Sequence, residues 1–143
     1  MVENAVADCD VLLIEDNDSD RHLTRLAWDE AGYAASFEDA VNFGDALIRL
    51  DEASRRRTNR PALILLDLNL PGGSGKDLLR LVRSSDRLRG IPVIVLTTSS
   101  DPKDRLECLR AGADAYEVKP SGFGELVAII HRANALMRER RSC

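Results

Sequence analysis

The sequence predicts an α/β fold, a doubly wound parallel sheet of five strands with helices on both faces. Three observations predict it. Five short apolar runs recur along the chain: "VLLIE" (11–15), "YAASF" (33–37), "ALILLD" (62–67), "PVIVLT" (92–97) and "DAYEV" (114–118). Three of them are continuously apolar and rich in Val, Ile and Leu, as strands covered on both faces are. Each run is followed by a stretch with helical periodicity, and such alternation implies parallel strands joined by right-handed crossovers.

The elements follow in order. After the first strand, Leu23, Leu26, Ala27 and Ala31 fall at helix spacing over 19–31, with Asn17 or Asp18 as cap and Gly32 as the stop. Trp28 packs on this helix or lies on its surface and is assigned no role. The second helix spans 40–53, with Val41, Leu47, Ile48 and Leu50. "DEASRRRTNRP" (51–61) reads as a long charged surface loop. "SGKD" (74–77) reads as a capping box opening a third helix with Leu78, Leu81 and Val82. In "SDPKD", Asp101 is the cap and Pro102 the first helical residue, before Leu106, Leu109 and the closing Gly112. The last helix covers 122–139. Phe123, Leu126, Val127, Ile130 and Leu136 form its core stripe, which Ile129, Ala133 and Met137 widen toward deep burial or a partner surface.

Composition narrows the class. A chain of 143 residues, 44% hydrophobic and 31% charged, fits one globular domain. We place it at 10–139, with an N-terminal extension (1–9) and a C-terminal tail (140–143). A net charge of −4 argues against a nucleic-acid footprint. The runs Arg55–Arg57 and Arg138, Arg140, Arg141 read as solvated surface. Cys9, Cys108 and Cys143 form no close pair, and His22 and His131 are far apart, so neither a disulfide framework nor a zinc site is expected. With no signal peptide and no membrane-length apolar run, the expected location is the cytoplasm.

The chemistry-bearing residues fall at the carboxyl ends of the strands, where open α/β sheets bind ligands. The first strand ends at Glu15-Asp16, the third at Asp67, the fourth at Thr97-Thr98 and the fifth at Lys119-Pro120. Singly, these are a turn acid, a strand threonine and a surface lysine; their shared position points to a site. If the first and third strands are adjacent, Glu15, Asp16 and Asp67 would converge. Clustered carboxylates repel one another, and a divalent cation relieves that. All-oxygen ligation with few side chains suits Mg²⁺, with Asp16 and Asp67 giving carboxylate oxygens and Asn69 its backbone carbonyl. A carboxylate beside a metal is also a nucleophile for phosphorus. Lys119 and the Thr97 hydroxyl would neutralise phosphoryl oxygens, and Gly72, Gly73 and Gly75 leave room for close backbone approach.

Four motifs, "LLIEDN", "LLDLNLPG", "VIVLTTSS" and "GADAYEVKP", stand in this order, with Thr97 30 positions after Asp67 and Lys119 22 after Thr97. Together they resemble the receiver domain of bacterial response regulators, the CheY-like, flavodoxin-like fold, over residues 10 to 138. The resemblance implies the strand order 2-1-3-4-5, which is not read from the residues. It implies that Asp67 accepts a phosphoryl group from a phosphohistidine of a sensor histidine kinase. Asp16 would ligate Mg²⁺ directly, Glu15 through water, and Asn69 by its carbonyl. Lys119 would contact a phosphoryl oxygen, Thr97 would be the switch hydroxyl, and Tyr116 the aromatic that turns inward with it. The Lys119–Pro120 bond is often cis in this family. Glu15 stands where many members have Asp, and Thr98 where a small residue is usual, which could slow access to the acceptor. The 51–61 loop, "LDLNLPGGSGKDLL" and "LTTSSDPKD" look most like stand-alone receivers partnered with bacterial phytochrome kinases. The family's common homodimer face is the fourth helix, fifth strand and fifth helix.

The implied function is a phosphoacceptor switch rather than a turnover enzyme, signalling through protein–protein contacts, without nucleic acid or membrane. Three other readings compete. An aspartyl-phosphate hydrolase wants a second acid two residues after its nucleophile, where this chain has Asn69. A flavin binder wants stacking aromatics, and three Phe, two Tyr and one Trp leave few candidates. An adaptor with a receiver fold would act without phosphorylation.

Overall fold

The computed structural model describes residues 10–141; the expected 1–9 extension, with Cys9, and the last tail residues, with Cys143, lie outside the described residues. The elements run β1 (Asp10–Ile14), α1 (Asp18–Ala31), β2 (Ser36–Ala40), α2 (Phe43–Arg55), β3 (Leu63–Leu66), β4 (Asn69–Leu70), β5 (Gly73–Ser74), α3 (Gly75–Ser84), β6 (Val93–Thr97), α4 (Pro102–Arg110), β7 (Ala115–Val118) and α5 (Phe123–Arg141). Five parallel strands form one sheet in the order β2-β1-β3-β6-β7. Counting only the five strands expected from sequence, this is 2-1-3-4-5. The two-residue strands β4 and β5 pair as a small antiparallel hairpin just after Asp67, turning at Gly72 with φ +91°, a backbone region that favours glycine.

Continuous apolarity in the central strands does mean burial on both faces. Leu12, Ile14, Ile64, Leu66, Val93 and Val95 face one core, completed by Ala46 and Leu50 of α2, Leu78, Leu79 and Val82 of α3, and Cys108 of α4. The alternating Val11, Leu13, Leu63, Leu65, Ile94 and Leu96 face the other, closed by Ala27 and Trp28 of α1 and by α5. Each fully buried Leu or Ile contributes roughly 1.5–3 kcal/mol, so these strands supply much of the stability. Cys108, buried and free, has its thiol pushed up by burial. Among the described residues no helix is long and apolar enough to cross a membrane.

Several expected elements shift. The second strand is Ser36–Ala40, not 33–37. Its acids hid it: Asp39 pairs with Arg25 at 2.7 Å and Glu38 with Arg56 at 3.4 Å, so an edge strand carries charge that periodicity scores as loop. The second helix starts later and ends later, because Asn42 caps it by accepting from Asp45 N at 2.7 Å while Asp45 accepts from Val41 N at 3.1 Å. The charged loop is correspondingly shorter. Ser74 caps α3 by accepting from Lys76 N, while Asp77 pairs with Arg80. In α1 it is Thr24, Ala27 and Trp28 that are buried, and Leu23 and Leu26 are exposed. In α5, Leu126, Ile129, Ile130, Ala133 and Met137 are the buried stripe, so its extra width is core, whereas Phe123 is 39% exposed. The helix continues through the expected tail boundary to Arg141.

Candidate functional site

Parallel strands with helices between them end together, so the last residue of each strand meets the same edge. The main chain fixes these ends in register. Glu15 N donates to Ala40 O at 2.9 Å, Asp67 N to Ile14 O at 3.0 Å, and Lys119 N to Thr97 O at 2.7 Å. The consequence is a compact charged cluster. Lys119 Nζ lies 2.6 Å from Glu15 Oε1, 2.8 Å from Asp20 Oδ2 and 3.1 Å from Asp67 Oδ2. Glu15 and Asp67 are buried, Asp16 is exposed, and one oxygen from each lies within 4.8 Å of the others.

The electrostatics follow from having more acids than bases. Burial pushes the Glu15 carboxyl up to about 7, against the pull of its hydrogen bonds from Lys119 and Asn17 N. Burial also disfavours the Lys119 ammonium, but its hydrogen bonds to Asp20 and Glu15 outweigh this and hold it firmly charged. One ammonium thus serves three carboxylates, and a proton or a cation is the natural partner for the excess. The donor set is all oxygen, with an exposed acid giving access and a cleft of about 440 Å³ opening beside it along Asp16, Leu68, Asn69, Leu70 and Pro71. These residues fit a hard divalent cation such as Mg²⁺.

Of the residues singled out in the sequence, Glu15, Asp16, Asp67 and Lys119 come together. Asn69 lies at the rim; its N–H reaches Asp67 Oδ1 at 3.4 Å and its side chain is exposed. The Thr97 side chain is fully buried and its hydroxyl accepts from Ser99 N at 3.4 Å. Tyr116 is 5% exposed and packs in the core beside α4, its hydroxyl donating to Ser99 O at 2.9 Å. The Lys119–Pro120 peptide is trans, as X–Pro bonds favour in general, in contrast to the frequent cis form.

The glycines of the loop act differently from expectation. The space over Gly73 is filled by the Phe43 ring. A Cβ on Gly75 would fall 2.9 Å from Leu68 Cα and closer still to the Asp67 carbonyl oxygen. At both glycines the space a side chain would need is taken by the protein's own atoms, the Phe43 ring and the Asp67–Leu68 backbone. Gly75→Ala is therefore expected to cost about 1–3 kcal/mol and to displace Asp67, read as a lower urea midpoint together with slower phosphoryl uptake.

Two contributors escaped sequence reasoning. Asp20 sits in the first turn of α1, where the Asn17 cap accepting from Asp20 N at 2.9 Å turns it over Lys119. Arg21 donates from its Nη1 to Glu15 O at 2.8 Å and ties the end of β1 to the first turn of α1. The available signal was position, an acid and a base one turn past an acidic strand end.

The chain is similar to known proteins over most of its length. The family described as the response regulator receiver domain matches residues 11–131. The probable methanogenesis regulatory protein FilR2 of Methanothrix harundinacea is 36% identical over 118 residues, 81% of this chain and 75% of that one. The phosphorylated cyanobacterial phytochrome response regulator RcpA superposes with a TM-score of 0.77 at 30% identity, covering 87% of this chain and 89% of its own. The bacteriophytochrome response regulator RtBRR gives 0.72 at 37% identity, covering 86% and 76%. Against other curated relatives, the phosphate regulon regulators PhoB, the chain spans about half their length, 51%.

Proposed function

Because this chain belongs to the response regulator receiver family, we propose that it is the phosphoacceptor of a two-component pathway, with Asp67 taking the phosphoryl group from a sensor histidine kinase. The observation that carries the reading is the buried Asp67 carboxylate, held at 3.1 Å from Lys119 and grouped with Glu15 and Asp16 at the sheet's carboxyl edge.

The residues divide the work. An Asp67 carboxylate oxygen attacks phosphorus, the P–N bond to the kinase imidazole breaks, and its electron pair stays on that nitrogen, which takes up a proton. The new P–O bond makes an acyl phosphate. Lys119 offers positive charge to a phosphoryl oxygen, and rigid placement supplies most of the acceleration. Asp16, Asp67 and the Asn69 carbonyl would hold Mg²⁺, with Glu15 acting through water. Bound there, the ion would neutralise charge on the carboxylates and the transferring group. Thr97 and Tyr116 form the switch, and exposed Thr98 stands at the rim as a brake on access. Domain limits of 10–139 and a cytoplasmic location accompany this reading.

The likeness to RcpA and RtBRR, both called phytochrome response regulators, supports a phytochrome histidine kinase as donor and light as the signal. Output through protein contacts includes a symmetric dimer across α4, β7 and α5, where Leu106 and Val118 are exposed at 49% and 41%. A sedimentation profile that stays monomeric with and without phosphorylation would remove the dimer.

The function itself is tested with Mg²⁺ and acetyl phosphate. The intact mass is expected to rise by one phosphoryl group, placed on Asp67 by fragmentation and removed by hydroxylamine as an acyl phosphate must be. No uptake from acetyl phosphate or any histidine kinase, or uptake on another residue, overturns the reading.

A further inference from the structure

Lys76 stands in the first turn of α3, directly after the hairpin that follows Asp67. Its ammonium donates to Asp104 Oδ1 at 2.6 Å and to Glu107 Oε1 at 2.9 Å, both on α4. The second oxygen of Asp104 accepts from Ser99 Oγ at 2.6 Å. Ser99 lies in the loop between β6 and α4, two residues past Thr97. Its carbonyl receives the Tyr116 hydroxyl at 2.9 Å, and its N–H reaches Thr97 Oγ1 at 3.4 Å. Asp104 thus uses one oxygen toward α3 and the other toward the loop. An unbroken chain of polar contacts runs from the helix after the acceptor to both switch side chains.

The bonds from Lys76 and Ser99 to Asp104 are charge-assisted and short, at 2.6 Å each, the kind that fix geometry. Hydrogen bonds to Asp104 and Glu107 raise the Lys76 ammonium, and those from Lys76 and Ser99 hold the Asp104 carboxyl down, so the group stays ionised around neutrality. Lys76 is 20% and Asp104 28% exposed. Such pairs add little to global stability, so the consequence of this one is positional. Arg105, the next residue along α4, donates to Tyr116 O at 3.1 Å and stacks over its ring, tying α4 to the same strand. The core side of Tyr116 is apolar, and Ser99 O is the acceptor that makes burial of its hydroxyl tolerable.

We propose that Lys76 is a positioning residue for the switch: through Asp104 and Ser99 it holds the loop after β6 so that Ser99 O receives Tyr116 and the ring stays inward. The proposal rests on the reading of Asp67 as phosphoacceptor. It makes α3 the second anchor of the switch, beside the Thr97 hydroxyl. With Lys76 neutralised, Asp104 and Ser99 lose their attachment to α3, the loop drifts with the first turn of α4, and Tyr116 gains an outward population.

The test follows Tyr116 by ¹⁹F NMR in the 3-fluorotyrosine protein. Only two tyrosines are present, so a Tyr33→Phe background leaves Tyr116 as the single reporter. Lys76→Met and Asp104→Asn are expected to broaden the Tyr116 line or split off a second one. Both are expected to raise the concentration of beryllofluoride needed for half-saturation with Mg²⁺ by about three- to tenfold. Lys76→Arg restores the charge and Glu107→Gln leaves the Asp104–Ser99 arm intact, so both keep the single parental line. A Lys76→Met line identical to the parent overturns the proposal, as does an equal effect from Glu107→Gln. Should the parent protein fail to answer beryllofluoride at all, the phosphoacceptor reading falls, while the Tyr116 line shape still decides the role of Lys76.

Discussion

Asp67→Asn is expected to lose phosphoryl uptake from acetyl phosphate or a histidine kinase, by on the order of a hundredfold or more. An amide oxygen is a far weaker nucleophile than a carboxylate, and no other acid reaches the same place. Glu15 is buried and engaged by Lys119 and Asn17 N, and Asp16 lies at the exposed rim. The fold does not suffer with the chemistry. Asparagine is nearly isosteric, and the change removes one of the three buried or rim carboxylates that crowd one another, while Lys119 keeps Glu15 and Asp20. The urea midpoint is therefore expected to stay level or rise. Radiolabel transfer and urea unfolding, run side by side, check both halves. Labelling of Asp67→Asn at the wild-type rate would show that another residue is the acceptor.

Trp28→Ala is expected to destabilise by about 3–5 kcal/mol. The indole has no measurable exposure and meets Phe37 edge to face, with ring centroids 5.6 Å apart. It fills the space between α1, the sheet and α5, which has no other residue of its size among the described ones. Its truncation leaves a cavity where helix and sheet cannot easily collapse. Trp28→Phe is expected to cost much less, below about 2 kcal/mol. The indole Nε1 is buried without an acceptor among the described residues, and phenylalanine removes that unpaired donor along with some volume. Since this is the only tryptophan, far-ultraviolet circular dichroism in urea is the measurement. A Trp28→Ala midpoint equal to wild type would contradict the packing. The site lies at the carboxyl edge of the sheet, so folded Trp28→Phe should label at close to the normal rate.

The two predictions differ in how far the sequence foretells them. Asp67 stands out because an apolar run ends on it, and because Glu15-Asp16, Thr97 and Lys119 end their own runs in the expected order. Trp28 carries no such mark. A helical stripe beginning at Leu23 and Leu26 places it on a flank, yet the helix turns Thr24, Ala27 and Trp28 to the core and leaves both leucines in solvent. A similar rotation puts Ile129, Ala133 and Met137 of α5 inside and Phe123 outside. Periodicity states that a helix has an apolar face; where two faces are plausible, the surface it meets makes the choice. The edge strand Ser36–Ala40 was misplaced for a related reason. Its acids are paired by Arg25 of α1 and by Arg56 just past the end of α2.

Alone, the sequence determined the strand–helix alternation, the burial of the central strands and the residues at their carboxyl ends. Those properties are written in short windows, as runs, caps and glycines, and backbone geometry converts them to structure locally. Tertiary structure alone decided which charges meet. Lys119 finds Asp20 across 99 residues of sequence, and Lys76 finds Asp104 across 28. A charged side chain on a surface helix has many possible partners until the packing of helices on the sheet brings one within 3 Å. That choice is made by buried area between elements, and the ion pairs follow it.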